Sequence, residues 1–297
     1  ADYNGESGES RLINTVASSF FGRNDVKLYE KRFLSFQNKI ELANSLLLST
    51  SLSWQRRQML ENHIHRSWFK KEAESNIPDS RAFYPMPENE LLKASLEYTP
   101  AHYYRMYRGK KVYEESRYPT FTLRYDRAFP LKGSLPSPSY HLAEFSARQS
   151  IEFGMFNTLN WAVNAGTFWN KSGMQFPDFK HFATTGLPVT ERSFDTGFSL
   201  LDNYAYSTNT RWVQANMSWY TLYLLLKFLP FLKKKNLDEA LHLRTLVGYD
   251  RRPYSEIGYS IGFMKLARLG VFLGFDSLKY RSAGVSVSIP LSTFAGE

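Results

Sequence analysis

Residues Ile40 to Trp54 alternate with a period of two, and this constrains the fold of the chain more than anything else in it. The even positions are Ile40, Leu42, Asn44, Leu46, Leu48, Thr50, Leu52 and Trp54; the odd ones are Glu41, Ala43, Ser45, Leu47, Ser49, Ser51 and Ser53. In an extended chain residues i and i+2 share a face, so one face is apolar and the other wet. The stretch far exceeds the roughly 5–6 residues usual for a strand of a water-soluble sandwich. A tilted strand crossing an outer membrane needs about 9–11 residues, apolar toward lipid and polar toward a lumen. Trp54 stands where an aromatic girdle would place it. The pattern predicts a transmembrane β-barrel, provided that later segments repeat it.

They do. Leu92, Ala94, Leu96 and Tyr98 alternate with Lys93, Ser95 and Glu97; Phe121, Leu123 and Tyr125 alternate with Thr122, Arg124 and Asp126. The same holds for Leu159, Trp161, Val163 and Ala165, and for Val213, Ala215, Met217 and Trp219. Near the end of the chain, Leu241/Leu243/Val247, Ile257/Tyr259/Ile261/Phe263, Leu269/Val271/Leu273/Phe275 and Val285/Val287/Ile289/Leu291 continue the series. Their opposite faces carry His242, Arg244, Glu256, Arg268, Asp276 and many glycines and serines, which suits a watery lumen holding a charged network. The expected fold is all-β, an antiparallel transmembrane β-barrel of the bacterial outer membrane with about 12–16 strands.

Composition fits this expectation. Aromatic residues make up 16% of the chain, enough for two interfacial belts. The mean hydropathy of −0.41 is too polar for a helical membrane protein, whereas a barrel hides its lipid face in alternation. Cysteine is absent, which excludes disulfides and thiolate metal sites. Ala1-Asp2-Tyr3-Asn4-Gly5-Glu6 is polar, so a barrel implies either a cleaved signal or a chain that forms the later part of a longer product. The net charge of +9 comes in short clusters between predicted strands, with no nucleic-acid motif, so no nucleic acid is expected as a partner.

Residues 1–25 read as an N-terminal strand or tether, and 26–294 as the barrel. Gln55-Arg56-Arg57-Gln58 reads as the turn of a hairpin joining 40–54 to 59–69. The region 170–208 is a long aromatic loop, and loops of that length are usually functional or disordered. Its charged residues Asp178, Lys180, His181, Asp195 and Asp202 mark it as a lumen plug tied to the wall or as an external cap. Phe228, Leu229, Phe231 and Leu232 directly precede Lys233, Lys234 and Lys235. Pro230 cannot donate to a strand ladder, so this run reads as an interfacial segment with lysines at lipid headgroups or as a turn between strands. Gly284, Val285, Val287, Ile289, Pro290 and Leu291 form a candidate seam, where a closed barrel must pair its last strand with its first. His63 and His65 share a strand face without a third ligand. No nucleophile elbow, phosphate loop or zinc helix is present, so neither an enzyme nor a cofactor is expected.

Four stretches, Ser116–Tyr125 (SRYPTFTLRY), Phe179–Phe182 (FKHF), Leu200–Asn209 (LLDNYAYSTN) and Leu229–Lys235 (LPFLKKK), resemble an uncharacterised outer-membrane family of Bacteroidota. In that family a carboxypeptidase-like regulatory domain precedes a barrel similar to the surface-antigen superfamily, which includes the BamA and TamA assembly factors. The chain is similar to the C-terminal barrel part. The superfamily's Arg-Gly-Phe loop motif has no counterpart here. The resemblance implies a structural or assembly-related outer-membrane protein. Its expected partners are outer-membrane lipid, lipopolysaccharide included, and other outer-membrane proteins. A pore or transport component gated by 170–208, or a scaffold subunit of a larger complex, is the alternative.

Overall fold

The structure, a computed structural model, describes residues 1–5, 11–61, 67–69, 74–76, 88–114, 116–131, 137–185, 188–222, 224–228, 237–263 and 266–289. It is mostly strand. One helix, α1 (Arg11–Phe21), precedes β1 (Tyr29–Ala43), β2 (Leu46–Met59), β3 (Asn89–Tyr98) and the short hairpin β4 (Tyr104–Tyr107) and β5 (Lys110–Tyr113). Then follow β6 (Thr120–Pro130), β7 (Ser139–Phe153), β8 (Asn157–Ser172), β9 (Val189–Thr190), β10 (Arg211–Thr221), β11 (Leu237–Gly248), β12 (Tyr254–Phe263), β13 (Ala267–Asp276) and β14 (Lys279–Ser288).

Twelve of these strands form one sheet in the order β1-β2-β3-β6-β7-β8-β10-β11-β12-β13-β14-β9. From β1 to β14 every pairing is antiparallel, an up-and-down meander; only the short β14–β9 pairing is parallel. Among the described residues no pairing joins β1 to β14, and beyond Tyr29, which exchanges hydrogen bonds with Ala1, the outer edge of β1 has no strand partner.

Two expectations are corrected. The stretch 40–54 is two strands, because the chain reverses at Asn44-Ser45, where Ser45 takes a φ of 60°. Partners across this turn have like parity (Ile40 with Leu48, Phe36 with Leu52), so the apolar stripe passes through it without a change of phase. Gln55, Arg56, Arg57 and Gln58 are therefore strand residues of β2 rather than a turn. At the N-terminus a helix, not a strand, occupies 11–21. Leu12, Val16 and Phe20 are four apart, a spacing that satisfies both periods.

The register aligns the stripes of all strands onto one face, and burial shows which way that face points. Phe36, Ile40, Leu52, Leu123, Phe145, Val213, Met217, Leu243, Ile257, Leu269, Leu273 and Val285 are exposed. On the opposite face Arg57, Asp126, Glu144, His242, Arg244, Glu256 and Ser260 are buried. This inverts the arrangement of a soluble barrel. What covers the polar face is the β8–β10 connection. It touches β2 on one side of the sheet and β14 on the other, so the sheet curls around it. Where the loop seats, the inner face turns apolar. Leu91, Ala128, Tyr140, Leu142, Phe168, Trp212, Leu246 and Tyr254 of the strands enclose Phe182, Phe198 and Leu201 of the loop in one core.

Candidate functional site: a loop seated on the polar face

The loop enters as β8 ends, turns at Gly173 (φ 60°), and makes a short 3-10 turn at Phe176–Asp178. Three anchors hold it. At the first, Arg57 of β2 donates from Nη1 to Asp178 Oδ1 (2.7 Å) and from Nη2 to Oδ2 (3.2 Å), with both side chains buried. Asp178 also accepts Gln175 N–H at 2.9 Å, which fixes the turn. At the second, Lys180 Nζ donates to Glu144 Oε1 of β7 at 2.7 Å, and Asn164 donates to the same oxygen.

The third anchor is the deepest. Arg244 (β11) and Glu256 (β12) face each other across a register pair and are 1% and 0% exposed, so neither charge is solvated. Their hydrogen bonds run into the loop backbone. Glu256 accepts Ser199 N–H (2.8 Å), Leu200 N–H (2.9 Å) and the Tyr254 hydroxyl (2.8 Å). Arg244 donates to Glu256 (3.1 Å), Ser199 Oγ (2.9 Å) and the Phe194 carbonyl (2.5 Å). A buried ion pair offsets its desolvation only when its remaining donors and acceptors are used, and here the loop supplies the partners.

Nearby glycines make room for this seating. A side chain at Gly284 would meet Leu200 at 2.5 Å, and one at Gly270 would meet Phe194 at 2.9 Å. Gly258 and Gly262 instead make room for side chains of the sheet itself, Phe272 at the first and Asp238 and Arg268 at the second. His242 spans Ser218 and Ser260, and Arg268 bonds Ser260 and Asp238, so of the polar-face residues His242 and Arg268 share one hydrogen-bonded cluster, whereas Glu256 belongs to the Arg244 anchor. Asp276 lies apart from it, paired with Arg281.

The remaining predicted loop residues divide. His181 is buried inside the loop; Nε2 faces the Phe176 carbonyl (3.0 Å), so it must donate, and Nδ1 (2.7 Å) accepts from Ser207. Burial pushes its pKa down to about 4. Asp195 accepts from the Tyr220 hydroxyl (2.6 Å) and Asn160 (3.2 Å) of the wall. Asp202 is 74% exposed and only 3.9 Å from Arg281, so it contributes little.

The candidate seam is occupied. The loop strand β9 lies parallel along β14: Val287 N–H donates to the Pro188 carbonyl (2.7 Å) and Ile289 N–H to the Thr190 carbonyl (2.8 Å). Ser288 Oγ donates to the Arg192 carbonyl. Gly284 and Val285 precede this contact, with Val285 outward and exposed. Pro290 and Leu291 lie outside the described residues, as do Leu229, Phe231, Leu232, Lys233, Lys234 and Lys235 of the interfacial segment and the pair His63 and His65.

Phe228 is exposed at the end of a 3-10 turn, Leu226–Phe228, which is tied by Glu239. Although Glu239 sits on the apolar parity of β11, it is fully buried and accepts the N–H groups of Leu224, Leu225 and Leu226 as well as the Tyr259 hydroxyl. Sequence reading missed Glu239, Arg57 and Glu144. Arg57 had a signal, since Ser49, Ser51, Ser53, Gln55 and Arg57 share one parity.

Residues 1–261 match the C-terminal domain of a family of unknown function (DUF5686). The chain belongs to that family. The match agrees with the expectation of an uncharacterised family and of its C-terminal part. No curated protein matches the chain.

Proposed function

We propose that this DUF5686 domain is the wall and plug of an outer-membrane β-barrel, with a structural or assembly-related task. The observation that carries the reading is the orientation of the sheet: its aligned apolar face is exposed while its charged face is buried under its own loop. Contiguous exposed apolar surface of this extent marks a membrane or protein interface, and the alternation is that of a lipid-facing wall. The free backbone edge of β1 has no place in hydrocarbon unless another strand covers it. Further strands of the same protein are the natural cover, as in the surface-antigen barrels that the sequence resembles.

With the loop seated by buried ion pairs, the lumen is closed at rest, which favours action through the wall and the β14 seam over an open conduit. Outer-membrane lipid, lipopolysaccharide included, contacts the wall, and other outer-membrane proteins are the expected clients. A gated pore is the second reading, favoured by the polar space that the loop leaves beside β1–β3. Planar-bilayer recording tests both. The assembly reading expects little conductance from the full-length protein, in which further strands cover the β1 edge, and a stable open pore once residues 175–207 are deleted from it. Steady conductance of the undeleted full-length protein would favour the pore.

A further inference from the structure

The loop covers only part of the inner face. Beside it, over β1, β2, β3 and β6, lies a cavity of about 600 Å³ with no acidic residue in its lining. That volume is within the range of small-molecule sites, roughly 300–1,000 Å³. The register explains its chemistry. Across four adjacent strands one row reads Gln37, Ser51, Lys93, Asp126, and the next reads Lys39, Ser49, Ser95, Arg124. Neighbours in such rows stand about 5 Å apart, so the face is a grid of hydroxyls and cations.

Its charge is unbalanced. Toward the loop, a smaller connected space of about 210 Å³ shares Lys31, Lys93 and Arg124 and brings in Asp126, Glu144 and Asp178. Each of these three acids is already engaged: Asp126 by two bonds from Arg124, Glu144 by Lys180 and Asp178 by Arg57. Lys31 and Lys93, both half-buried, form no ion pair among the described residues, and Ser49, Ser51 and Ser95 have no side-chain partner there. Lys31 Nζ lies 5.1 Å from the centre of the Phe33 ring, a contact that uses none of its N–H donors in a hydrogen bond; a phosphate, with three strong acceptor oxygens, can accept from both ammonium groups and from the hydroxyls at once.

We propose that this cavity binds a phosphate-bearing anion, held by Lys31, Lys93 and the serines of β2 and β3. The phosphate can belong to a free solute or to a lipid headgroup, and the site's chemistry is the same for both. The proposal does not depend on the sheet lying in a membrane, because the lysines and serines it uses all lie on the inner parity of β1, β2 and β3.

The test uses the full chain folded in detergent, with inorganic pyrophosphate titrated calorimetrically. A second arm takes protein from mixed phosphatidylcholine–phosphatidylglycerol vesicles and reads retained lipid by native mass spectrometry. The double variant Lys31→Gln/Lys93→Gln breaks no ion pair seen here and should fold; heat-modifiable gel mobility checks this. Lys279→Gln, at the opposite sheet edge, is the control. Pyrophosphate binding weakened at least tenfold in the double variant but not in the control supports a free phosphate. Retention of phosphatidylglycerol, lost only in the double variant, supports a headgroup. If neither ligand binds, or if both bind the folded double variant as well as the parent, the proposal is overturned.

Discussion

Glu256→Ala is the sharpest perturbation of the plug. The carboxylate accepts Ser199 N–H, Leu200 N–H, the Tyr254 hydroxyl and Arg244, all in a site closed to solvent. Alanine removes the four acceptor contacts and leaves the Arg244 guanidinium with the neutral Ser199 Oγ and Phe194 carbonyl and the face of the Phe272 ring, and no carboxylate. Removing one partner of a buried pair costs about 3–5 kcal/mol, because the other charge stays desolvated. The loop can escape this cost by leaving its seat, so much of the loss should appear as loop release. At about 1.4 kcal/mol per factor of ten, the released fraction should rise roughly 100- to 3,000-fold. Trypsin cleavage inside the loop, at Lys180 or Arg192, reads that fraction when opening and closing are fast relative to cutting. Glu256→Gln keeps one carbonyl acceptor and should fall between parent and alanine. Cleavage of a folded Glu256→Ala barrel at the parent's rate would refute the claim that this pair holds the loop.

Other predictions follow from the same geometry. Leu273→Arg, on the exposed apolar face, should impair membrane assembly by about 2–4 kcal/mol, while Ser49→Arg, facing the cavity, is tolerated; recovery in the membrane fraction checks both. The His181 pKa is about 4 in the folded loop and near 6.5 unfolded, so between these values the unfolded state holds the extra proton. Stability should therefore be greatest above pH 6.5 and fall by up to about 3 kcal/mol as pH drops toward 4, a slope that His181→Asn should flatten in urea titrations. In this cysteine-free chain, Val189→Cys with Val287→Cys should form a disulfide under mild oxidation, since paired strands lie about 4.8 Å apart, within disulfide reach. The locked protein should keep its fold and lose activity if the seam must open; failure to crosslink would refute the β9–β14 pairing.

Much of the sheet was legible in the sequence, and what was not has physical causes. From β10 to β13 most outward positions are apolar, with Arg211, Glu239, Thr245 and Ser255 among the exceptions, and most inner positions are small or polar, so alternation located these strands. β7 escaped notice because its inner positions Tyr140 and Leu142 are as apolar as its outer ones. They pack in the core under the loop, which erases the contrast on which a period-two reading depends. The polar parity of Arg244 and Glu256 was visible, but their partners are loop N–H and carbonyl groups, which carry no residue-type signature. Asp178, Lys180 and Asp195 stood out as charges in an aromatic loop, yet nothing in the sequence links Asp178, just after β8, to Arg57 of β2, which lies four strands before β8 in the sheet order. The seam residues were chosen for barrel closure, and their actual neighbour, Val189–Thr190, is a strand too short to show any period.

The central claim is that the apolar parity faces lipid and the polar parity faces the interior. Spin labels on single cysteines at positions 48 to 54 of β2, in protein reconstituted into vesicles, test it most directly. The labels replace Leu48, Thr50, Leu52 and Trp54 on the outer face and Ser49, Ser51 and Ser53 on the inner. Even positions should collide with oxygen dissolved in the bilayer, and odd positions with a water-soluble nickel chelate. Equal accessibility at both parities, or the reverse assignment, would contradict the account.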